Sequence, residues 1–186
     1  MALTYSSMLE LGSQIPKFKL LNTINQEIFI SDQLSNGKVS LIMFICNHCP
    51  FVIHYHEKLV EIITEFQDQI NIIAISSNDI NQYPQDAPEN MQKLWSRLGL
   101  QCPYLFDETQ AIAKAFKAEC TPEFYLFNKD QKLFYRGRFD SSTPGSQIKV
   151  TGSDLQNAII KIMNNDNPPE GQMPSMGCNI KWKISN

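Results

Sequence analysis

The sequence lacks three features, each of which would assign the protein to a particular class. No window approaches the about 18 consecutive apolar residues of a membrane-spanning helix, so we expect no membrane partner. There are 16 Lys and Arg against 19 Asp and Glu, a formal net charge of −3 without a basic run, which argues against nucleic acid as a partner. The N-terminal stretch MALTYSSMLELG has neither the basic start nor the apolar run of a signal peptide, so we expect a cytoplasmic protein.

Cysteine is present in a small and odd number. At least one of the five thiols therefore has no partner within the chain. Stable structural disulfides are rare in a reducing compartment, where closely spaced cysteines more often serve redox chemistry or bind a metal. The five are Cys46, Cys49, Cys102, Cys120 and Cys178.

The order of apolar segments predicts one α/β domain over residues 1–186. An almost continuous apolar run at 39–45 is typical of a strand buried on both faces, as in a parallel sheet. Residues 51–66 carry apolar side chains at helical spacing, and the apolar run at 71–75 is the next buried strand. A strand, a helix and a strand in this order form a right-handed βαβ crossover. Together with the helices and strands that follow, they predict a three-layer α/β/α domain with a mixed central sheet.

Segments outside this crossover complete the predicted fold. Residues 18–31 contain two short strand-like pieces around a turn, which indicates an N-terminal β-hairpin. Residues 132–137 predict an edge strand, on which Arg136 and Arg138 point the same way and are interpreted as an exposed polar face. Residues 167–186 are rich in proline and glycine and are expected to form an extended C-terminal tail.

The stretch CNHCP lies where the first buried strand gives way to a helix. Pro50 suits the first helical position, because the N–H that proline lacks would be unpaired there. Cys49 is then the N-cap, facing free backbone N–H groups and the positive end of the helix dipole. Thiols in such positions titrate at roughly 3.5–7.5, below the ordinary value of about 8.5. We therefore interpret Cys49 as the nucleophile, Cys46 as a thiol within reach if the turn is tight, and His48 as a neighbour that favours the thiolate.

Two other interpretations apply to the same cysteines. Either thiol can be a small buried hydrophobe without chemistry. Zinc is the second alternative, since Cys46, Cys49, His54 and His56 offer two thiols and two imidazoles. The two histidines are two positions apart on the predicted helix and so point about 200° from each other, which argues against this site. We expect neither a metal nor an organic cofactor.

Four segments in the same order resemble the thioredoxin-like redoxins. The stretches GSQIPKFKLLN, LIMFICNHCPF, DETQAIAKAF and CTPEFYLFNKD are similar to the branch of alkyl hydroperoxide reductase and thiol-specific antioxidant (AhpC/TSA) proteins and the disulfide oxidoreductases near it. The resemblance spans residues 12–183 and implies a thioredoxin-like fold. It also implies a cis peptide bond between Thr121 and Pro122, packed against the nucleophile. Cys120 would then lie near the active-site surface.

The sequence departs from the pattern of that family at the second redox position. With Cys49 on the first cysteine of a thioredoxin motif, the second position falls on Val52, and the threonine and cysteine of a peroxidase motif are absent. The thiol that resolves a disulfide on Cys49 is therefore open. Cys46 is nearest in sequence, Cys178 could reach Cys49 from a mobile tail, and Cys120 could do so beside Pro122. In the alternative interpretation the tail is docked on the body and Cys178 is simply buried.

The resemblance implies a thiol–disulfide oxidoreductase with antioxidant activity that needs no cofactor. Its partners would be a protein disulfide or a hydroperoxide as substrate and a thiol electron donor such as a thioredoxin system. A thiol-dependent hydroperoxide reductase is the first alternative. The second is a redox-inert module that uses the groove beside Pro122 to bind a partner, because a fold does not guarantee a chemistry.

Overall fold

A computed structural model describes residues 3–184 of the chain. Within that range the protein has ten β-strands and four α-helices. In chain order they are β1 (Leu3–Tyr5), β2 (Lys19–Asn22), β3 (Ile28–Ile30), β4 (Ser40–Phe44), α1 (Pro50–Phe66), β5 (Asn71–Ser76), α2 (Pro88–Arg97), β6 (Tyr104–Phe106), α3 (Ala111–Ala115), β7 (Cys120–Thr121), β8 (Glu123–Phe127), β9 (Leu133–Gly137), α4 (Ser153–Met163) and β10 (Met176–Asn179).

Seven of these strands form the central sheet in the order β3-β2-β6-β5-β4-β8-β9. The strands β4, β5 and β6 run parallel, and β8, β9, β2 and β3 are added antiparallel on either side. The strands β2 and β3 form the predicted N-terminal hairpin. The mixed sheet is therefore the one predicted from the order of apolar segments.

The buried strand β4 divides the core into two layers. Successive side chains of a strand point to opposite faces. Accordingly, Leu41 and Met43 belong to the buried cluster on one face, and Ile42 and Phe44 belong to the cluster on the other. All five residues of β4 are buried, as the continuous apolar run requires.

Helices cover the first face, and a mixture of helix, loop and tail covers the second. The helix α1 begins at Pro50 and buries the side chains that its helical spacing predicts, such as Leu59 and Ile62. The helices α2 and α4 pack on the same face. On the other face α3 is joined by Phe116 and by Ile180 of the tail. The three-layer α/β/α expectation is thus confirmed, and no helix in the described range is long and apolar enough to cross a membrane.

The C-terminal tail is docked and not free. Its strand β10 lies between β1 and β7 in a second, three-stranded sheet, antiparallel to both. Ile180, which follows β10, is buried against the second face of the central sheet. The structure therefore differs from the expectation of a mobile tail segment. It agrees with the alternative interpretation, in which the tail is docked on the body of the protein. None of the three strands of this small sheet was expected, because strands of two to four residues are too short to show an alternating pattern.

Arg136 is a second correction. It lies on the edge strand β9 as expected, yet its side chain is fully buried and ion-paired with the buried Glu123 of β8. Arg136 Nε donates to Glu123 Oε1 at 2.9 Å, and the Tyr125 hydroxyl donates to the same oxygen at 3.0 Å. The interpretation of Arg136 as part of an exposed polar face is wrong, because loops and the N-terminal segment cover this edge of the sheet.

Candidate active site

The cysteine pair lies at the carboxyl edge of the parallel strands. The chain leaves β4 at Phe44, turns through residues 45–49 and enters α1 at Pro50. Open α/β sheets keep their ligand and reaction sites at this edge. The peptide bond between Thr121 and Pro122, which joins β7 to β8, is cis and lies against the same turn.

Cys49 is the N-cap of α1, as the Cys-Pro step predicts. Its backbone is extended, with φ −70° and ψ 122°, and its carbonyl accepts the first helical hydrogen bond from Ile53 N–H at 2.9 Å. Its Sγ atom makes no capping hydrogen bond and lies 3.1 Å from the Thr121 carbonyl oxygen, to which only the protonated thiol can donate. Cys49 has an exposed fraction of 0%.

Neighbouring donors stabilise the thiolate of Cys49. A hydrogen bond from the Cys46 thiol is the main cause that lowers the pKa of Cys49 to about 5, and burial acts against it. Smaller contributions in the same direction come from the Cys178 thiol, the Val52 backbone N–H and the Thr121 side chain. Cys49 is therefore an anion at neutral pH, which is the reactive form of a thiol. The backbone N–H of Val52 lowers the pKa of Cys49 less than the Cys46 thiol does.

Cys46 is held in the protonated form by the same contact. Its hydrogen bond to Cys49 raises the pKa of Cys46 well above the ordinary range, and burial and the negative charge of Asp86 act in the same direction. The Cys46 Sγ atom lies 3.5 Å from Thr121 Oγ1. One negative charge is thus placed on Cys49, with Cys46 as the adjacent proton donor.

A buried carboxylate fixes the turn that carries both thiols. Asp86 has no exposed surface; its Oδ1 accepts from the Asn47 backbone N–H at 2.8 Å, and its Oδ2 lies 2.7 Å from His48 Nδ1. Asn78 Nδ2 donates to the same Oδ2 at 2.8 Å. The His48 ring also stacks on Tyr83, with centroids 5.2 Å apart. His48 is therefore oriented by Asp86, and its Nδ1 remains 3.9 Å from Cys46 Sγ.

Asp86 was not among the residues predicted for the site. It lies in the polar loop between β5 and α2, 37 residues after Cys49. It is not part of a helical or alternating hydrophobic pattern. A single acidic residue in a loop of Asn, Asp, Gln and Pro gives no sequence signal that separates it from its solvated neighbours. Only the return of this loop onto the CNHC turn brings it into the site.

A group with metal-ligand chemistry exists, but it is not the one considered from the sequence. Among residues 3–184 the ligand atoms of Cys46, His48 and Asp86 all lie within 4.8 Å of one another. His54 and His56 are not part of this group; His54 Nε2 lies 2.7 Å from the Ser142 hydroxyl oxygen instead. The ligand atoms of His48 and Asp86 are already in hydrogen-bonding contact, so these side chains also form a hydrogen-bond network that needs no metal ion.

The three remaining cysteines lie in different surroundings. Cys178 of β10 is buried and donates a hydrogen bond to the Cys49 thiolate, so the structure brings it to the site. Cys120 is also buried, but its Sγ atom contacts the Pro122 carbonyl oxygen at 3.8 Å and Glu123 Oε2 at 3.9 Å. Burial raises the pKa of Cys120 far above its ordinary value. Cys102 lines a cleft at the amino ends of the parallel strands, where β5 begins. This is the side of the sheet opposite to the carboxyl ends, where Cys46 and Cys49 lie.

Comparison with known proteins identifies the family of the chain. A family model described as Redoxin matches residues 10–159. The thiol-disulfide oxidoreductase YkuV of Bacillus subtilis (strain 168) is 26% identical over 106 residues, which are 55% of this chain and 68% of that protein. The chain is thus related by sequence to a protein of thiol–disulfide chemistry.

Solved structures show the same fold. An uncharacterized conserved protein from Geobacillus kaustophilus shares 44% identity and superposes with a TM-score of 0.96, over 100% of this chain and 99% of that one. The thioredoxin domain of a thiol-disulfide oxidoreductase from Bacteroides vulgatus superposes with a TM-score of 0.63 at 16% identity, over 83% of this chain and 98% of that domain. At that identity the second match shows the fold alone, which is thioredoxin-like.

Proposed function

Because the chain belongs to the redoxin family, we propose that it is a thiol–disulfide oxidoreductase in which Cys49 attacks and Cys46 resolves. The observation that carries this proposal is the Cys46–Cys49 contact, which gives one thiolate and one adjacent thiol. The substrate is a protein disulfide, and the electron donor is a dithiol such as a thioredoxin system. We place this reaction in a reducing compartment, the cytoplasm, where stable structural disulfides are rare and closely spaced cysteines more often serve redox chemistry.

The reaction proceeds by two exchanges. The Cys49 thiolate attacks one sulfur of the substrate disulfide, a mixed disulfide forms, and the other substrate sulfur leaves as a thiolate that takes up a proton. Cys46 then loses its proton and attacks Cys49 Sγ, which releases the second substrate thiol. The substrate disulfide has gained two electrons, and the Cys46–Cys49 dithiol has become a disulfide that the donor reduces.

The coupling of the two thiols favours this order of events. While Cys49 is an anion, its contact with Cys46 is the largest cause that raises the pKa of Cys46. In the mixed disulfide Cys49 carries no charge, so this cause disappears and Cys46 ionises more easily. Cys46 is therefore protected as a thiol before the first attack and becomes more acidic for the second.

Thr121 and Pro122 position the reacting atoms. The Thr121 carbonyl oxygen lies 3.1 Å from Cys49 Sγ, and Thr121 Oγ1 lies 3.5 Å from Cys46 Sγ, so one residue contacts both sulfur atoms. We assign Thr121 and the cis-Pro122 to the binding edge along which a substrate strand would pair once β10, which is paired with Thr121 in this structure, has moved aside. An extended peptide that adds to such an edge is held by main-chain hydrogen bonds.

Thiol-dependent hydroperoxide reduction is a second candidate, and the burial of Cys49 favours it. A buried thiolate is more accessible to a small peroxide than to a protein disulfide. In that reaction the peroxide O–O bond breaks, Cys49 becomes a sulfenic acid, and an alcohol or water is released. Cys46 attack then forms the Cys46–Cys49 disulfide and releases water. This activity would place the chain in the AhpC/TSA branch with an antioxidant role.

Reduction of insulin disulfides by dithiothreitol, with and without the protein, tests the proposal. We expect Cys49→Ser to abolish the acceleration and Cys102→Ser, at the opposite edge of the sheet, to leave it unchanged. Peroxide consumption by the same two variants separates the second candidate from the first. If Cys49→Ser is as active as an active parent, the assignment of Cys49 as the nucleophile is wrong. If the parent itself accelerates neither reaction, the protein is a redox-inert binding module.

A further inference from the structure

The strand β10 brings a third thiol into the centre that Cys46 and Cys49 form. Cys178 is paired with Thr121 in the register of β10 with β7, and the Thr121 carbonyl oxygen lies 3.1 Å from Cys49 Sγ. Cys178 is 4% exposed, belongs to the same buried cluster as the two other thiols and donates a hydrogen bond to the Cys49 thiolate. Cys49 therefore has two sulfur neighbours.

Gly177 determines where this third thiol lies. A Cβ atom at position 177 would lie 2.0 Å from the Thr121 carbonyl oxygen and 2.7 Å from the Thr121 carbonyl carbon. These are backbone atoms, which cannot move aside as the tip of a flexible side chain can. On its other edge β10 pairs with β1, where Leu3 is opposite Cys178. The close approach that only glycine permits thus places Cys178 at Cys49.

We infer that Cys178 is a third redox thiol, which exchanges with the Cys46–Cys49 disulfide to form a Cys49–Cys178 disulfide. The inference rests on the proposed oxidoreductase function. In this step the Cys178 thiolate attacks Cys49 Sγ, the Cys49–Cys178 bond forms and the Cys46–Cys49 bond breaks. Cys46 leaves as a thiolate and takes up the proton that Cys178 lost. One disulfide replaces another, so no external oxidant or reductant is consumed.

The surroundings of Cys178 change in the direction that the exchange needs. In the reduced protein, burial, the hydrogen bond to Cys49 and the Cys49 charge raise the pKa of Cys178 to about 12, while Lys181 acts in the opposite direction. When Cys49 is part of a disulfide, it carries no charge and no longer attracts the Cys178 proton. Two of the three raising causes are then gone, and Lys181 remains. Cys178 is therefore most acidic in the state in which it attacks.

The exchange has a consequence for the tail. In the Cys46–Cys49 form β10 is held by backbone pairing and side-chain packing without a covalent bond, whereas in the Cys49–Cys178 form it is covalently tied to Cys49, the N-cap of α1. Cys46 is then a free thiol beneath a closed tail. In this form the disulfide lies between Cys49 and Cys178. An incoming dithiol can reduce it only by attacking Cys178 Sγ, or after the reverse exchange has restored the Cys46–Cys49 disulfide.

Disulfide mapping of the oxidised protein tests this inference. The full chain is oxidised with stoichiometric diamide, quenched in acid, alkylated and digested, and its disulfide peptides are identified by mass spectrometry. We expect the wild-type protein to contain both the Cys46–Cys49 and the Cys49–Cys178 peptides. Cys178→Ser should contain the first alone and Cys46→Ser the second alone. A wild-type protein that contains only Cys46–Cys49 overturns the inference.

Gly177→Ala is the variant that tests the role of the backbone. An added methyl group pushes β10 away from Thr121, so we expect the Cys49–Cys178 peptide to be lost and the Cys46–Cys49 peptide to remain. An unchanged ratio of the two peptides would show that the docked register does not place Cys178, which contradicts the inference.

The same experiment separates this inference from the proposed function. If wild-type Cys49 forms no disulfide with either thiol, the proposed function fails and takes the inference with it. If Cys46–Cys49 forms in the wild type, in Cys178→Ser and in Gly177→Ala, and Cys49–Cys178 forms in none of the proteins, only the third thiol is refuted.

Discussion

The Cys46 thiol lowers the pKa of Cys49 more than the backbone N–H of Val52 in the first turn of α1 does. If the Cys46 thiol is the main donor, Cys46→Ala should raise the pKa of Cys49 by about one to two pH units, since a hydrogen bond to a charged group contributes about 1.5–3 kcal/mol. The titration is followed by the ultraviolet absorbance of the thiolate. The Cys102 and Cys178 thiols, with pKa values of about 11 and about 12, do not interfere below pH 8.

Cys46→Ser is the matched control for this titration. A hydroxyl group at position 46 can still donate to Cys49, so the midpoint should rise less than in Cys46→Ala. Equal midpoints in the parent and in Cys46→Ala would show that Cys46 is not the main group that stabilises the charge of Cys49.

The carboxylate of Asp86 acts on the other thiol of the pair. Its negative charge contributes to the raised pKa of Cys46, so Asp86→Asn should lower that pKa. The asparagine keeps one oxygen that can accept from the Asn47 N–H, while its NH2 group replaces the oxygen that accepts from Asn78 Nδ2. The comparison is made in a Cys49→Ser background, where Cys46 has no thiolate neighbour. An unchanged Cys46 midpoint in the double variant would exclude Asp86 as an electrostatic partner.

Among the elements, the edge formed by β7, β8 and β9 depends on one buried ion pair. Glu123 Oε2 accepts from the backbone N–H of Glu119 at 2.8 Å and of Cys120 at 3.3 Å, and Glu123 Oε1 is paired with Arg136. Removing one partner leaves an uncompensated buried charge, so Arg136→Met should reduce the free energy of unfolding by about 3–5 kcal/mol. Urea titration of the reduced protein measures this change.

An exposed ion pair provides the control for this stability measurement. Lys17 pairs with Asp32, and both side chains are mostly exposed. Lys17→Ala should change the free energy of unfolding by less than about 1 kcal/mol, because solvent screens such pairs. A loss for Arg136→Met as small as that for Lys17→Ala would mean that the buried pair does not support the β7–β8 connection.

The elements that could be predicted are those whose own residues carry a period. The strand β4 is buried on both faces and therefore has a continuous apolar run, and the helix α1 is buried on one face and therefore has an apolar stripe. Both elements lie where the sequence predicted them. The Cys-Pro step likewise fixed the helix start. The strands β1, β7 and β10 could not be predicted, because their formation depends on partners far away in the chain. The burial of Asp86 and Arg136 could not be predicted for the same reason. Whether a charged side chain is buried depends on the segments that pack on it, and these are distant in the sequence.

For the whole molecule, the two disulfides proposed above should differ strongly in their effect on stability. A Cys46–Cys49 bridge closes a loop of two intervening residues, whereas a Cys49–Cys178 bridge encloses most of the chain. By the chain-entropy estimate, a loop of that order stabilises the folded state by about 4–5 kcal/mol. Oxidised Cys46→Ser should therefore unfold at a higher urea concentration than its reduced form.

Oxidised Cys178→Ser, which can form only the short bridge, is the control for this comparison. Its unfolding midpoint should shift much less on oxidation than that of Cys46→Ser. Similar shifts in both variants would contradict a long-range bridge in the folded protein.

The burial of Cys49 also has a kinetic meaning. A thiolate with an exposed fraction of 0% reacts only after the atoms around it have moved, so its oxidation is an opening followed by a chemical step. At low oxidant concentration the observed rate is proportional to concentration and differs between reagents. At high concentration it reaches a ceiling equal to the opening rate constant. Chemically unrelated oxidants would then share one limiting rate. The opening motion of the tail and of the turn around Cys49 would be the rate-limiting step of oxidation.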